Sequence, residues 1–280
     1  MTVTRTRSIE RHFRPDEVEQ LQSGLPNLAE ISSEILVPFE ARRLRRAAIL
    51  WINRRWFFER QIDVARAEDR LRVEAWLLDE FAYAIPRAGD APDAFTGEVK
   101  TLHADRYGIS SGRSVHGGSG RVATIGSFQA KGIGVTPLAG VGANWVHSSG
   151  CASVEEGIRE IIYSEVATAE FPHGAVPVVA LLDAGLIYPN SADQATSAAA
   201  TALVRRAIII RPAVLRIAHA ERAPLFLRSL TGFPNHQPDD ARRTRDVVRY
   251  WTGDGSPRDG TTVEMCDLPE LAAYSAHVGH

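Results

Sequence analysis

The chain has 280 residues, 44% hydrophobic and 24% charged, the proportions of a globular protein with room for one large domain or two small ones. Its formal net charge of -2 offers no global attraction for nucleic acid or an anionic membrane, so any anion site must be local. Two cysteines, Cys151 and Cys266, exclude a disulfide framework and complete no zinc cluster; with no apolar run of signal-peptide or membrane-spanning length, a cytoplasmic protein is expected.

Residues 1–95 read as a helical N-terminal extension. Its densest signal is the apolar face of Leu71, Val73, Ala75, Trp76, Leu77, Leu78, Phe81 and Ala82, closed by Pro86 and Gly89. Upstream, residues 36–62 carry Arg42, Arg43, Arg45 and Arg46, read as a solvated face, and Trp51, Trp56, Phe57 and Phe58, read as core at helical spacing.

Residues 89–97, rich in Gly, Pro and Asp, are the expected linker. Short β-favouring runs follow at 98–102, 121–129, 175–182 and 206–210, separated by glycine-rich stretches and one helix, which predicts an α+β domain over 96–215. Ser153 and Glu156 form an S-x-x-E capping box before the helix's apolar set Val154, Ile158, Ile161, Ile162 and Val166, and Pro172 ends it. From residue 216 to 280 helical texture returns at 223–230 and 239–251, and a last pattern at 271–277 is interrupted rather than capped.

Gly117-Gly118-Ser119-Gly120-Arg121 precedes a strand that ends at Lys131, followed by Gly132, Gly134 and Pro137. Glycines let backbone amides approach phosphate oxygens, and a lysine at the strand end neutralises them. The same Gly-Ser-Gly also suits a plain hairpin turn. Neither the Walker pattern nor the dinucleotide fingerprint is present. A strand lysine followed by a glutamate-bearing helix is, however, the layout of the Lys–Glu pair in kinase-like folds. Glu160, off the apolar stripe, and Glu165, within it, both qualify, and periodicity does not choose between them. Arg205, Arg206, Arg211 and Arg216 surround the strand at 207–210, where guanidinium forks suit either phosphate or plain solvent. No G-x-S-x-G elbow occurs, and His147 with Cys151 lacks a second ligand pair, so no metal site is expected within this chain.

Ala104-Asp105-Arg106-Tyr107-Gly108, Gly118-Ser119-Gly120-Arg121, Lys131-Gly132-Ile133-Gly134-Val135-Thr136-Pro137, Ile158-Arg159-Glu160 with Ser164-Glu165, and Leu215-Arg216 through Glu221 occur in the order and approximate spacing of the selenoprotein O family. The sequence resembles that family across somewhat under half its length. The resemblance implies a protein-kinase-like N-lobe, a small sheet plus one prominent helix, between a helical extension and the first helices of a C-lobe. It implies ATP bound in an inverted orientation and AMP transferred to a protein hydroxyl. Lys131 and Glu160 would be the catalytic pair, Gly118, Ser119, Gly120, Arg121 and Gly132 would line the nucleotide, and Arg216 would be one of two arginines on its terminal phosphates. The second arginine's place falls near Ile209, so Arg211 or Arg206 would substitute.

Two departures qualify the match. Between Pro137 and Ser153 the family's Asp-Gly-Arg block is replaced by His147-Ser148-Ser149-Gly150, and nothing after Trp251 matches the family's catalytic loop or its Asn and Asp metal ligands. Magnesium or manganese is therefore expected only with a C-lobe, and the chain is expected to be the front part of a longer protein or a remnant. Residues 104–120 and 145–183 are also similar to maturation proteins of siderophore-carrying microcins, which implies adenylation of a carboxylate. A protein or peptide substrate is the expected partner, and a non-catalytic pseudoenzyme or protein-binding module is the competing class.

Overall fold

The structure is a computed structural model and describes residues 12–108, 117–140, 148–189, 203–221, 225–228, 234–236 and 241–253. Its architecture is mixed α+β: an antiparallel nine-stranded sheet with six α-helices among the described residues. Helices α1 (Pro15–Gln22) and α2 (Leu28–Ile31) lead into β1 (Leu36–Leu44) and β2 (Ala48–Ile52), then α3 (Arg54–Phe58), α4 (Ala67–Phe81) and the short β3 (Tyr83–Ala84). A meander follows of β4 (Phe95–Asp105), β5 (Val122–Ile125) and β6 (Phe128–Lys131). After it come β7 (Ala152–Ser153), α5 (Val154–Glu170), β8 (Ala180–Pro189) and β9 (Leu203–Pro212). A separate pair, β10 (Leu225–Arg228) and β11 (Pro234–His236), precedes α6 (Ala241–Thr252).

The main sheet runs β2-β8-β9-β6-β5-β4-β1-β3, with β7 beside β9. Residues 36–52, expected within a helical extension, are thus two of its strands. β1 pairs with β4 from Leu36 opposite Asp105 to Leu44 opposite Phe95, and β2 pairs with β8. Cross-strand pairing overrides the helical preference of Ala41, Arg42, Arg43 and Leu44. Pro38 is tolerated because β3 reaches only Arg42 and Arg43, leaving β1 with one neighbour at the proline. Residues 225–228, expected as helix, also pair as a strand, whereas 67–81 and 241–252 form the expected helices. The pattern at 271–277 and Cys266 lie outside the described residues.

Only Arg45, Arg46 and Ala47 separate β1 from β2, although these strands flank distant parts of the ladder. Such a link spans at most about 14 Å, whereas the same strands laid flat at ~4.8 Å spacing would stand roughly 29 Å apart. The sheet must therefore curl. Strands from both ends line its inner core, into which α3 and α4 insert Trp56, Phe57, Trp76 and Phe81. Phe128 of β6 meets Trp76 and Trp56 edge to face, at centroid distances of 5.3 and 5.8 Å.

Alternation along β9 separates two cores. Ile208 and Ile210 join the inner one, and Ala207 and Ile209 pack outward beneath α5. Helix α5 seats there through Val154 and Ile161, with Gly157 admitting Leu181: a Cβ at Gly157 would stand 2.3 Å from Leu181 Cδ1. The expected apolar stripe is therefore split: Val154 and Ile161 face the sheet, and Ile158, Ile162 and Val166 are exposed. No helix among the described residues is long and apolar enough to cross a membrane.

Candidate functional site

Lys131 ends β6, with Val122 opposite it on one side and Ile209 on the other. Its ammonium donates to Glu160 Oε1 and lies 2.8 Å from Glu156 Oε1. Both carboxylates come from the first turns of α5, one turn apart, so they project from the same helix face. Glu165, the other sequence candidate, is engaged elsewhere, accepting from Arg55 Nη2 at 2.8 Å and Asn53 Nδ2 at 3.1 Å.

Glu156 is a participant that the sequence marks only as a capping residue. Half of that box forms: Ser153 Oγ accepts from the Glu156 N–H at 3.0 Å. The Glu156 carboxylate turns instead to Arg121, accepting Nη2 at 2.9 Å and Nη1 at 3.2 Å. The signal that could have found it is its four-residue spacing from Glu160. Burial pushes the Glu156 carboxyl upward, but the Lys131 hydrogen bond and the charges of Arg121 and Lys131 outweigh it and hold the pKa below the usual carboxylate range.

A pH dependence follows. A carboxyl depressed in the folded state stabilises the fold above its unfolded pKa of about 4.3, and that stability is lost as pH falls through the folded value. The urea midpoint is expected to hold from neutrality to about pH 5 and to fall at more acid pH, with a shallower acid limb in Glu156→Gln. Equal acid limbs in the two proteins would remove Glu156 from the account.

The glycine segment is knitted into the backbone around it. Gly118 has φ +145°, and a Cβ there would stand 2.1 Å from the Asp105 carbonyl oxygen, so only glycine permits this approach to the end of β4. The Ser119 N–H donates to Asp105 O at 2.9 Å, the Thr136 hydroxyl donates to Ser119 O, and the Thr136 N–H donates to Gly120 O at 3.1 Å. Gly132 donates to Arg121 O at 2.9 Å. The Ser119 amide is thus bonded within the protein instead of facing a ligand, and Arg121 is held by Glu156 and by Cys151 O at 2.9 Å. Residues 109–116, between these blocks, and His147 lie outside the described residues.

Strand parity separates the two candidate arginines. Arg211 shares its face with Ile209, which is opposite Lys131, so Arg211 stands on the Lys131 side of the sheet. Arg206 has the parity of Ile208 and lies on the other side, where its Nε donates to Gly132 O at 3.0 Å and its Nη1 stands 3.7 Å from Asp90. Arg211 Nε is buried with no hydrogen-bond partner. Burial lowers the Arg211 pKa and the positive charge of Arg216 lowers it further, against the opposing pull of Glu160, Asp105 and Tyr107. Arg216 follows β9 with its guanidinium 5.1 Å from the centre of the Tyr107 ring.

Beneath Tyr107, Asp105 Oδ2 and His219 Nε2 lie 3.1 Å apart, and both residues are fully buried. Arg243 of α6 donates to the His219 and Glu221 carbonyls, tying the segment after β9 to the end of β4. Burial raises the Asp105 pKa, but the His219 hydrogen bond and the charges of His219 and Arg216 bring it below its ordinary value. A cavity of about 490 Å³ between β2 and the α3–α4 region, lined by Trp51, Arg54, Val64 and Arg70 among others, is separate from these groups. Among the described residues, no group of three or more His, Cys, Asp or Glu side chains is placed to hold a metal ion. No family model and no curated protein matches the chain.

Proposed function

We propose that this protein binds ATP on the Lys131 face, as the nucleotide-binding lobe of a protein-kinase-like, selenoprotein O-like adenylyltransferase. The observation that carries this is Lys131, at the end of the third strand of a meander, held by Glu160 of the helix that follows. That pairing is how kinase-like folds keep a lysine on the nucleotide phosphates. Glu156 supports the same ammonium from one turn earlier, and Arg211 adds a guanidinium on the same side.

The residues fit a triphosphate. A buried guanidinium nitrogen without a partner is costly, and an anionic ligand supplies the missing acceptor. Lys131 neutralises phosphate oxygens, Glu160 and Glu156 fix its direction, and Arg211 with Arg216 receives the terminal phosphates. Bound ATP would supply an activated α-phosphorus: an acceptor oxygen, from a protein hydroxyl that releases its proton to solvent or from a carboxylate, forms the new P–O bond as the α–β anhydride breaks and pyrophosphate leaves. Magnesium or manganese ligands come from no described residue in this scheme.

Isothermal titration of ATP, with and without Mg²⁺, tests the proposal. Wild type is expected to bind, and Lys131→Ala to bind at least about tenfold more weakly, ~1.4 kcal/mol, while keeping its circular dichroism spectrum. Absence of binding by wild type, or equal binding by folded Lys131→Ala, would defeat it; the first result is what a non-catalytic scaffold gives.

A further inference from the structure

Three polar side chains form one cross-strand row on the Lys131 face. Thr124 of β5 is opposite Gln129 of β6, and Gln129 is opposite Arg211 of β9. Thr124 is 3% exposed and Gln129 0%. Thr124 Oγ1, both polar atoms of the Gln129 amide and Arg211 Nε all lack a hydrogen-bond partner. Each neighbour of Gln129 along β6, Phe128 and Ala130, packs into the inner core, so the amide belongs to the opposite face with Lys131 two residues on. A valine and a leucine would fill these positions without leaving polar atoms unmet. Retaining four such atoms in one row points to a ligand that completes them.

We infer that this row seats the terminal phosphoryl group of a nucleoside triphosphate, with Gln129 Nε2 and Thr124 Oγ1 donating to its oxygens beside Arg211; the inference rests on the ATP-binding proposal above. The row starts one strand step from Lys131 and ends on a cation, with Arg216 in electrostatic range of that cation, so it favours an anionic group over a nucleobase edge. In the occupied state the Gln129 Oε1 acceptor faces the Arg211 donors directly across the strand pair. Gln129 and Thr124 are closed from solvent in this structure, so seating the phosphoryl group requires side-chain or backbone movement on this face.

The test is titration of ATP and of ADP into the 280-residue wild type, Gln129→Met, Thr124→Val and Lys131→Ala. Both uncharged substitutions keep side-chain volume and remove donors. Each is expected to weaken ATP about tenfold and ADP less than about twofold, so that preference for the triphosphate disappears. Their urea midpoints are expected to equal or exceed that of wild type, because each removes an unmet buried group. Equal weakening of ATP and ADP would overturn the assignment in favour of the base or ribose end. Unchanged ATP affinity in both variants, with loss in Lys131→Ala, would overturn the assignment and leave ATP binding standing. No ATP binding by wild type would take down both.

Discussion

Gly150→Ala is expected to destabilise the protein by about 3 kcal/mol, against about 1 kcal/mol for Gly24→Ala. The two glycines have nearly the same backbone, φ +72° and +73°, so the strain of a left-handed alanine is common to both. They differ in what surrounds them. A Cβ at Gly150 would stand 2.3 Å from both Gly134 C and Val135 N, backbone atoms that no rotamer change can clear, whereas one at Gly24 meets nothing within 4 Å. Gly150 O also accepts the Gly134 N–H at 2.9 Å, and the loop pushed away would be the one Thr136 clamps to Ser119 and Gly120. Urea denaturation measures the difference as a midpoint shift at constant slope. Similar losses at the two positions would show that the loops do not touch.

The second large effect is expected at Glu156. Its replacement by alanine leaves the Arg121 guanidinium with only a carbonyl and Lys131 with one carboxylate, two little-exposed cations facing a deleted anion. Breaking a largely buried pair on one side costs about 3 kcal/mol, and the loss of an acid from the first turn of α5 acts in the same direction. Glu160→Ala, at a more exposed site, is expected to cost about 1 kcal/mol. A double-mutant cycle of Glu156→Ala with Arg121→Met is expected to show coupling above about 1 kcal/mol. Additive losses would mean that the bidentate contact contributes nothing to stability.

The pairing of Lys131 with α5 was legible because it needs only order along the chain: a strand lysine, then a capped helix with a carboxylate off its stripe. The alternative at Glu165 fell to information no periodicity carries, the presence of Arg55 and Asn53 across the helix. Arg206 and Arg211 could not be separated by composition, yet the two-residue period of a strand separates them once β9 has a register against β6. The strands at 36–44 and 48–52 were illegible for a different reason. Ala41, Arg42, Arg43 and Leu44 favour helix locally, Pro38 argues against a strand, and Ala48 to Ile52 is a short apolar run without alternation. Their conformation comes from partners some sixty residues away in β4 and more than a hundred away in β8. The Thr124–Gln129 row was invisible for the same reason, since neither residue belongs to a motif.

The stretch 36–52 acts as a buckle. One continuous piece of chain covers the free margin of β4 with its first half and that of β8 with its second. Trimming the protein to a shorter version that begins near residue 95 would therefore bare two rows of amide and carbonyl groups at once, at opposite rims of the hoop, and offer both for intermolecular pairing. A stretch that precedes Lys131 by about eighty to ninety-five positions thus shields, on both sides, the sheet that carries it.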